Sequence, residues 1–302
     1  MKKKIIVKIS EGLGNQLFMY AHGYSLHKKY NLDLFVDSLS GYYHKKKVYN
    51  FLLDKFNISS PIAPSNLVFD NYHKNFLKKI YLLINKFKKK KRFIFENRNK
   101  KKITHFSPLN IENTFNYFYV DGNFESENYF SDYRKDLLNE FKIIDENNFE
   151  KNKYLKLIRS KNVVSICIRQ NRFSERVNNM NSELSIKKSN VFLKDTIDYI
   201  FRSINFFKKQ IQDPLFLIWS NDFTNLDQYF DSKEFIFVIN DKQKIISDFY
   251  LLTQCKYFIV GPSTFHWWGA WLSNFNNKIC TRPSNINPSN NTDFWPNSWI
   301  SI

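Results

Sequence analysis

The sequence predicts an α/β protein of two domains, with a largely parallel sheet in each. Short apolar runs typical of strands alternate with segments of helical spacing, which is the pattern of βαβ units. The chain has 302 residues, 43% of them hydrophobic, which is enough for about two domains with cores of their own. A polar helical crossing separates the halves, so we expect an N-terminal domain over 1–155 and a C-terminal domain over 156–302.

The chain begins with a predicted strand, a glycine turn, a helix and a second strand. The turn belongs to the segment SEGLGNQLFMYAHG, whose glycine spacing fits none of the standard phosphate loops. We expect Gly12 and Gly14 to allow a tight turn close to a ligand, and Asn15 and Gln16 to offer uncharged hydrogen bonds there. The predicted strands cover 5–10 and 32–37, and the predicted helix covers 15–30.

Residues 71–103 form a basic amphipathic segment. Its apolar residues recur at helical spacing with lysines between them, and a basic cluster follows. Such a helix either lies on an anionic membrane surface or packs its apolar stripe against its own domain. The residues of the stripe are Phe76, Ile80, Leu83, Ile84 and Phe87.

The rest of the chain continues the alternation of strands and helices. Residues 115–130 have the pattern of a strand, a turn and a helix. The segment 264–275 is apolar on almost every side, which indicates a buried helix. The other predicted strands are 163–169, 215–220, 235–239 and 257–261, and the other predicted helices are 190–207 and 246–255.

The formal net charge of +18 favours anionic partners, such as phosphorylated ligands, acidic membrane surfaces or nucleic acid. A Lys-, Asn- and Ile-rich composition is also what a coding bias produces. Three cysteines without CxxC spacing indicate a reducing compartment and no zinc site. The first apolar run is too short for a signal peptide, and no window is long and apolar enough to span a membrane. We expect a cytoplasmic protein, either free or peripheral at the inner face of the cytoplasmic membrane.

Polar groups follow three of the predicted strands, where ligands of open α/β sheets bind. Arg169 either clamps a phosphate with its guanidinium or lies at the surface. Ser263 and Thr264 begin a helix, and this helix start either binds an anion or is simply capped by the serine. Asn221 follows the strand 215–220.

Asp248 is the acidic residue of the segment SDFYLLTQC. It is either an ordinary acid of a first helical turn or an acceptor for two N–H groups of a guanine edge. His22 and His266 fall within predicted helices, and we expect both to be packed rather than to bind a ligand. The sequence contains no HExxH, DxD or cysteine–histidine spacing, so we expect no metal and no cofactor.

Five segments resemble the family-11 glycosyltransferases, inverting α-1,2-fucosyltransferases that use GDP-fucose. They are EGLGNQLFMYA, against the family form GGLGNQLFQYA; YVDGNFESENYF; SICIRQNRF, against HIRRGDY; WSNDF; and SDFYLLTQCKYFIVGPSTFHWWGAWLS. They occur in the family's order and span nearly the whole chain, and the last is highly specific. The resemblance implies a metal-independent, GT-B-like enzyme of two Rossmann-like domains, with the donor site in the cleft, the GDP part on the C-terminal domain and the acceptor on the N-terminal domain.

The resemblance also implies roles for single residues. Arg169 matches the arginine expected on the β-phosphate, where it and the helix start at Ser263 would stabilise the charge of the departing GDP. Asp248 matches the position at which related fucosyltransferases bind guanine. The other matches are Thr264 and Asn221 on the donor side, and Gly12, Gly14, Asn15 and Gln16 in the loop at the cleft.

Three departures from the family motifs bear on the chemistry. Cys167 stands where the family has histidine, and Arg172 stands where it has aspartate. Arg172 either adds a second cation near the diphosphate or turns away into solvent. Glu11 replaces a glycine, and we hypothesise that it is the general base or orients the acceptor hydroxyl. The alternative is that Glu11 pairs with Arg172 or Arg169 and only holds the domains together.

The expected reaction moves L-fucose from GDP-fucose to a hydroxyl group, such as the 2-OH of a galactoside. The acceptor would be an oligosaccharide or lipid-linked glycan in lipopolysaccharide or capsule assembly. The altered motif also suits another GDP-deoxysugar, a GDP-heptose or an inactive transferase. A hypothesis from another class is a non-catalytic anion- or nucleic-acid-binding protein, although the sequence has no nucleic-acid motif and we expect no such partner.

Overall fold

The chain folds into two compact units. The computed structural model describes residues 2–43, 49–99, 103–175, 182–240 and 244–302. The N-terminal unit runs to Ile144 and includes Ser289–Pro296, while the C-terminal unit comprises Asp145–Pro288 and Asn297–Ile302. The chain therefore changes unit some ten residues before the sequence-based boundary at 155/156, which stays a prediction.

The N-terminal unit is built on a four-stranded parallel sheet. Its strands lie in the order β2-β1-β4-β3. The longest helix of the unit, α1, is buried over most of its length because it packs on the sheet. The strands are β1 (Lys4–Lys8), β2 (Asp33–Asp37), β3 (Lys91–Phe95) and β4 (Thr114–Asp121), and the helices are α1 (Leu13–Tyr30), α2 (Tyr72–Phe87) and α3 (Arg134–Glu140).

The basic segment 71–103 is only partly helical, which corrects the sequence-based description. Its helix α2 ends at Phe87, and β3 follows within the stretch that the sequence analysis treated as a basic cluster. The strand escaped notice because lysine and arginine open it, and its pairing with β4 supplies what the local pattern lacks. Residues 100–102 of the segment lie outside the described residues.

The C-terminal unit contains a six-stranded sheet, again entirely parallel. The strand order is β10-β9-β8-β5-β6-β7. The strands are β5 (Val163–Ile168), β6 (Leu215–Ser220), β7 (Phe235–Phe237), β8 (Tyr257–Ile259), β9 (Ile279–Arg282) and β10 (Ile300–Ser301). The helices are α4 (Lys153–Ser160), α5 (Glu183–Gln210), α6 (Lys244–Thr253) and α7 (Thr264–Leu272).

Counted within this unit, the order is 3-2-1-4-5-6, which is that of the doubly wound Rossmann sheet. The α/β, GT-B-like fold class predicted from the sequence is thereby confirmed at the level of the units, each of which has a parallel sheet with crossover helices. The predicted burial of the tryptophan-rich helix is also confirmed, since Trp267 and Trp268 of α7 are fully buried. The sequence analysis missed β9 and β10, which are short and owe their form to pairing with neighbours.

Candidate active site

Three of the predicted donor-side residues follow neighbouring strands. β8, β5 and β6 are adjacent and parallel, so the chain leaves all three at the same edge of the sheet. Arg169 directly follows β5, Asn221 directly follows β6, and Ser263 lies shortly after β8. The strand order reverses between β5 and β8, which is the switch point at which doubly wound sheets bind their ligands. Arg169 and the start of α7 therefore flank this point.

The start of α7 is formed by Ser263, whose hydroxyl accepts a hydrogen bond from the N–H of His266 at 3.2 Å. Its side chain thus caps the helix, which is one of the two interpretations that the sequence allowed. The N–H groups of Thr264 and Phe265 belong to the first turn and have no acceptor within the helix. N–H groups of this kind, together with the positive end of a helix dipole, are what favours anions at helix starts, so anion binding at Ser263 and Thr264 stays a prediction.

His266 holds the loop between β8 and α7 in place. Its Nδ1 accepts the N–H of Gly261 at 2.8 Å, and its Nε2 lies 3.3 Å from the Ser165 hydroxyl. Burial lowers the pKa of His266 to about 3, so the ring is neutral and can accept at Nδ1. At Gly261 a Cβ would lie 1.9 Å from the carbonyl oxygen of Cys167, so only glycine lets β8 and β5 end this close together. His266 is therefore a packed, positioning residue, as predicted.

Arg169 forms an ion pair that the sequence analysis missed. Its guanidinium donates to both carboxylate oxygens of Glu175, at 2.7 and 2.5 Å. The side chains are 35% and 31% exposed, so solvent reaches the pair. The carboxylate engages Nη2, one of the nitrogens with which the guanidinium would hold a phosphate, so an anion that binds through Nη2 competes with Glu175. The signal available in the sequence was an acid six residues after the arginine.

The Asn221 side chain is engaged in holding the loop after β5. It accepts the N–H of Gln170 at 2.9 Å and donates to the Gln170 carbonyl at 3.2 Å. The buried Gln170 side chain in turn donates to the carbonyls of Asp222 and Thr224. Asn221 therefore positions the Arg169 loop rather than facing the switch point with its amide.

Arg172 does not turn away into solvent, which was one of the two positions considered from the sequence. Its guanidinium donates to the carbonyl of Pro288 and lies 5.3 Å from the centre of the Phe192 ring on α5. The residue before it, Asn171, has a left-handed backbone conformation with φ of 55°. This turn directs Arg172 towards α5, so its role near the diphosphate stays a prediction.

Asp248 is buried on α6, where one carboxylate oxygen accepts from the Asn240 side chain at 2.6 Å. It interacts electrostatically with Cys167, the residue that replaces the family's histidine. Burial, with a contribution from the Asp248 charge, raises the pKa of the Cys167 thiol to about 12, while Arg169 acts in the opposite direction. Asp248, Cys167 and Arg169 thus belong to one electrostatic neighbourhood, and the thiol is neutral there.

In the N-terminal unit, Glu11 stands between β1 and α1 in a strained conformation. Its φ is 67°, in the left-handed region that favours glycine. Its carboxylate accepts from the Asn15 side chain at 2.5 Å, and its carbonyl accepts from the Gln16 side chain at 2.8 Å. Glu11 is half-buried. A costly backbone conformation retained at a carboxylate motivates a functional hypothesis.

The tight turn expected at the glycines is not made by Gly12, while the expected approach of this loop to a ligand stays a prediction. Gly12 has an ordinary φ of −75°, and a Cβ there would be at normal contact distance from Tyr49. The tight turn is made by Glu11 instead. Gln16 is buried, and its amide also bonds Asn50 and Leu52, so it anchors the following loop. Gly14 lies in the first turn of α1.

A cavity of about 570 Å³ lies at the carboxyl ends of β3 and β4. One of its lining residues is Glu96, a buried side chain that accepts the N–H groups of Asn123 and Phe124 at 3.0 and 3.1 Å. Asp121 contributes a carboxylate that pairs with Lys8 at 2.6 Å. The cavity combines an aromatic ring, two carboxylates and a guanidinium, and its lining residues are Phe95, Glu96, Asn97, Arg98 and Asp121.

In the ranges that the structure describes, no group of three or more His, Cys, Asp or Glu side chains is arranged to hold a metal ion. None of the helices in the same ranges is long and apolar enough to cross a membrane.

The family model of glycosyl transferase family 11 matches residues 4–300. The chain belongs to this family. It is 29% identical over 314 aligned positions to an alpha-1,2-colitosyltransferase of Escherichia coli, covering 99% of this chain and 98% of the relative. It is 28% identical to the O-antigen biosynthesis glycosyltransferase WbnK of Escherichia coli, over 35% of this chain and 36% of the relative.

Among solved structures, the chain is similar to NodZ alpha-1,6-fucosyltransferase of Bradyrhizobium soaked with GDP-fucose, with 14% identity, coverage of 90% and 93%, and a TM-score of 0.49. The family resemblance inferred from the five segments is thus confirmed by the family match.

Proposed function

We propose that the protein is an inverting glycosyltransferase that moves L-fucose from GDP-fucose to a hydroxyl group of a surface-glycan acceptor, with the 2-OH of a galactoside as the first candidate. The observation that carries this proposal is the placement of Arg169 and the start of α7 on either side of the switch point in the C-terminal sheet. Membership of a glycosyltransferase family supports it.

On the donor side, Arg169 and the N–H groups at the start of α7 hold the diphosphate. As the bond between the sugar and the β-phosphate breaks, negative charge grows on the leaving GDP, and these fixed positive groups stabilise it. Arg169 exchanges Glu175 for the phosphate oxygens. Asp248 receives the guanine N–H groups, keeping one oxygen on Asn240, and Asn221 keeps the Arg169 loop in position. We propose that neither a metal nor another cofactor takes part.

On the acceptor side, we propose that Glu11 takes the proton of the acceptor hydroxyl or orients that hydroxyl. The supporting observations are its left-handed backbone and its carboxylate at the start of α1. Asn15 fixes the orientation of the carboxylate by a hydrogen bond at 2.5 Å.

Glu11→Gln tests this role. Glutamine keeps the size and can still accept from Asn15, but it is no longer a base, so kcat should fall by about a hundredfold or more. The measurement is kcat at saturating donor and acceptor, with Glu112→Gln, an exposed acid of the same unit, as the control. A kcat within about threefold of wild type, about 0.7 kcal/mol of barrier, would exclude the base.

We propose further that the cavity at the ends of β3 and β4 binds a sugar of the acceptor. An aromatic ring beside carboxylates suits a sugar, whose C–H groups pack on the ring while its hydroxyls donate to the acids. Phe95, which is nearly half exposed, supplies the ring. Phe95→Ala should raise the acceptor KM while leaving the donor KM unchanged.

The identity of the donor is tested by a panel of GDP-sugars. Purified protein is incubated with a galactoside and with GDP-fucose, other GDP-deoxysugars, GDP-heptose or GDP-mannose, and the release of GDP is measured. We expect GDP-fucose to be the best substrate. Another GDP-deoxysugar is the main alternative, in line with the colitosyl transfer named for the Escherichia coli relative.

The salt dependence of GDP and RNA binding by the same preparation distinguishes the enzyme from a non-catalytic anion- or nucleic-acid-binding protein. Binding through many phosphate contacts collapses with salt, whereas a GDP site built from a few directional bonds persists at about 0.5 M salt. Retention of GDP binding at that salt supports the enzyme. RNA binding that persists while GDP binding is absent would contradict it.

A further inference from the structure

Helix α2 presents its apolar stripe to solvent. None of its residues is buried, and the most exposed apolar side chains are Phe87 at 87% and Tyr72 at 73%. Spacings of three, four and seven residues place the exposed side chains along one face of the helix. The stripe comprises Tyr72, Phe76, Leu77, Ile80, Leu83, Ile84 and Phe87.

The opposite face of α2 holds the helix on the N-terminal sheet through polar contacts. The Asn85 side chain accepts the N–H groups of Arg92 and Phe93 and donates to the Phe93 carbonyl. Lys78 is packed over the Phe69 ring, at 5.6 Å from its centre, and pairs with Asp121. Tyr81 and Leu82 pack against the apolar cluster of the unit. Turning the stripe inward would break these contacts, so its exposure is fixed by the fold.

The surroundings of the stripe are strongly basic, although Asp70 pairs with Lys74 and Asp121 with Lys78. From residue 71 to residue 95 the chain has eight lysines and one arginine and no acidic residue. Lys79 and Lys86 lie on the exposed surface of α2, and Lys88, Lys89 and Lys90 follow its end, all exposed. Long apolar side chains between such lysines match a surface that is apolar inside and anionic at its edge.

We propose that α2 docks on an anionic lipid bilayer, with the stripe in the acyl region and the lysines among the headgroups. A second copy of the chain is an unfavourable partner for this stripe, because it would bring two faces of net positive charge together. An anionic bilayer neutralises the lysines and buries the apolar side chains at once. The inference rests on α2 alone and does not depend on the proposed transfer reaction.

Vesicle flotation tests the docking. The full-length protein is mixed with phosphatidylcholine vesicles, with or without phosphatidylglycerol, and the bound fraction is measured at rising salt. We expect binding to the anionic vesicles that weakens with salt and is much weaker to phosphatidylcholine alone. Equal binding to both vesicle types, or none to either, would overturn the proposal.

Matched variants identify the surface. The triple change Phe76→Ser, Leu83→Ser and Phe87→Ser should lower the partition coefficient at least tenfold, and Lys88→Gln, Lys89→Gln and Lys90→Gln should lower it on anionic vesicles only. The control changes three exposed apolar residues of α5 and should leave binding intact: Leu184→Ser, Ile186→Ser and Val191→Ser. Circular dichroism checks that each variant is folded.

A dye attached at a single position reports whether α2 enters the bilayer, without the triple substitution that could disturb folding. A polarity-sensitive dye on Leu83→Cys should shift to the blue with anionic vesicles, while the same dye on Leu184→Cys should not. Light scattering in the absence of lipid should report a monomer, and a dimer that the triple variant dissociates would overturn the proposal in favour of a second copy. Failure of vesicle binding with normal GDP-sugar turnover would remove this inference alone, and vesicle binding without turnover would remove only the proposed function.

Discussion

At the scale of the residue, the left-handed positions are the most informative feature of the two loops. Glu11 and Asn171 have φ of 67° and 55° at two places where this chain replaces a glycine of the family motifs. Asparagine tolerates this conformation, whereas a glutamate pays a steric penalty on the order of 1 kcal/mol. The penalty persists at Glu11, which is why this carboxylate is a functional candidate.

Substitutions at position 11 measure this strain. Glu11→Gly and Glu11→Ala both remove the carboxylate, but only glycine relieves the backbone, so the free energy of unfolding of Glu11→Gly should exceed that of Glu11→Ala by about 1 kcal/mol. Urea unfolding provides the measurement. At the exposed helical position Asn139 the order should reverse, with alanine above glycine. An alanine variant at position 11 as stable as the glycine variant would contradict the strain.

Glu175 and Arg169 lead to a second prediction. If the carboxylate competes with the diphosphate, Glu175→Gln should tighten GDP binding by up to about fivefold, the upper range for a solvent-exposed ion pair. Isothermal titration calorimetry gives the Kd, and Glu183→Gln at the start of α5 is the control. Weaker GDP binding in Glu175→Gln would mean instead that Glu175 positions Arg169.

At the scale of the element, the adjacency of β8 and β5 defines the candidate donor site. Gly261 sits where the two strands end and leaves no space for a Cβ beside the Cys167 carbonyl. The His266 ring then fixes the loop that leads into α7. The position of the α7 helix start relative to Arg169 therefore depends on one glycine and one neutral histidine.

Gly261→Ala should disturb this junction. The added methyl group forces the ends of β5 and β8 apart, so the free energy of unfolding should fall by about 1–3 kcal/mol and GDP should bind more weakly. Gly41→Ala in the N-terminal unit is a matched control, because a Cβ there would lie 2.0 Å from the Ile9 carbonyl oxygen. We expect Gly41→Ala to lower the free energy of unfolding by a similar amount but to leave the affinity for GDP unchanged. A Gly261→Ala protein with unchanged GDP affinity would contradict the placement of the donor.

At the scale of the whole molecule, the residues that the structure describes include a buried, neutral histidine in each unit, His22 and His266. Burial lowers the pKa of both His22 and His266 to about 3. His22 packs against the rings of Phe124 and Tyr129, with centroid distances of 4.0 and 4.8 Å. The unfolded chain protonates these rings near pH 6.5 and the native chain does not, so acid favours unfolding.

The predicted pH dependence follows from that difference in bound protons. Stability should be level above about pH 7 and should fall as the pH drops from 6.5 towards 3, by up to about 1.4 kcal/mol per pH unit for each histidine. Urea unfolding between pH 7.5 and about 4.5 measures the slope. His22→Phe keeps the ring packing and should reduce this slope by the contribution of one histidine. An unchanged slope in this variant would contradict the burial of a neutral His22.

The sequence by itself determined most of the strands and helices, which polar residues follow the strands of the C-terminal sheet, and which family the chain resembles. These features are local, because the spacing of apolar residues and the motifs depend only on residues that are close in the sequence. Its errors lie where distant partners decide. Lysine-rich β3 and the short strands β9 and β10 form by pairing with other strands. The side-chain amides of Gln16 and Asn221 hydrogen-bond to the backbone of residues that are distant in the sequence.

Only the tertiary structure decided that β8 lies beside β5, that Glu175 covers Arg169, and that α2 turns its apolar stripe outward. Strand order is a long-range property, since segments almost a hundred residues apart meet there. The helical spacing of α2 specified the stripe but not the side that faces the sheet. That side was set by the bonds of Asn85 to β3 and by the packing of Lys78, which no local pattern reveals.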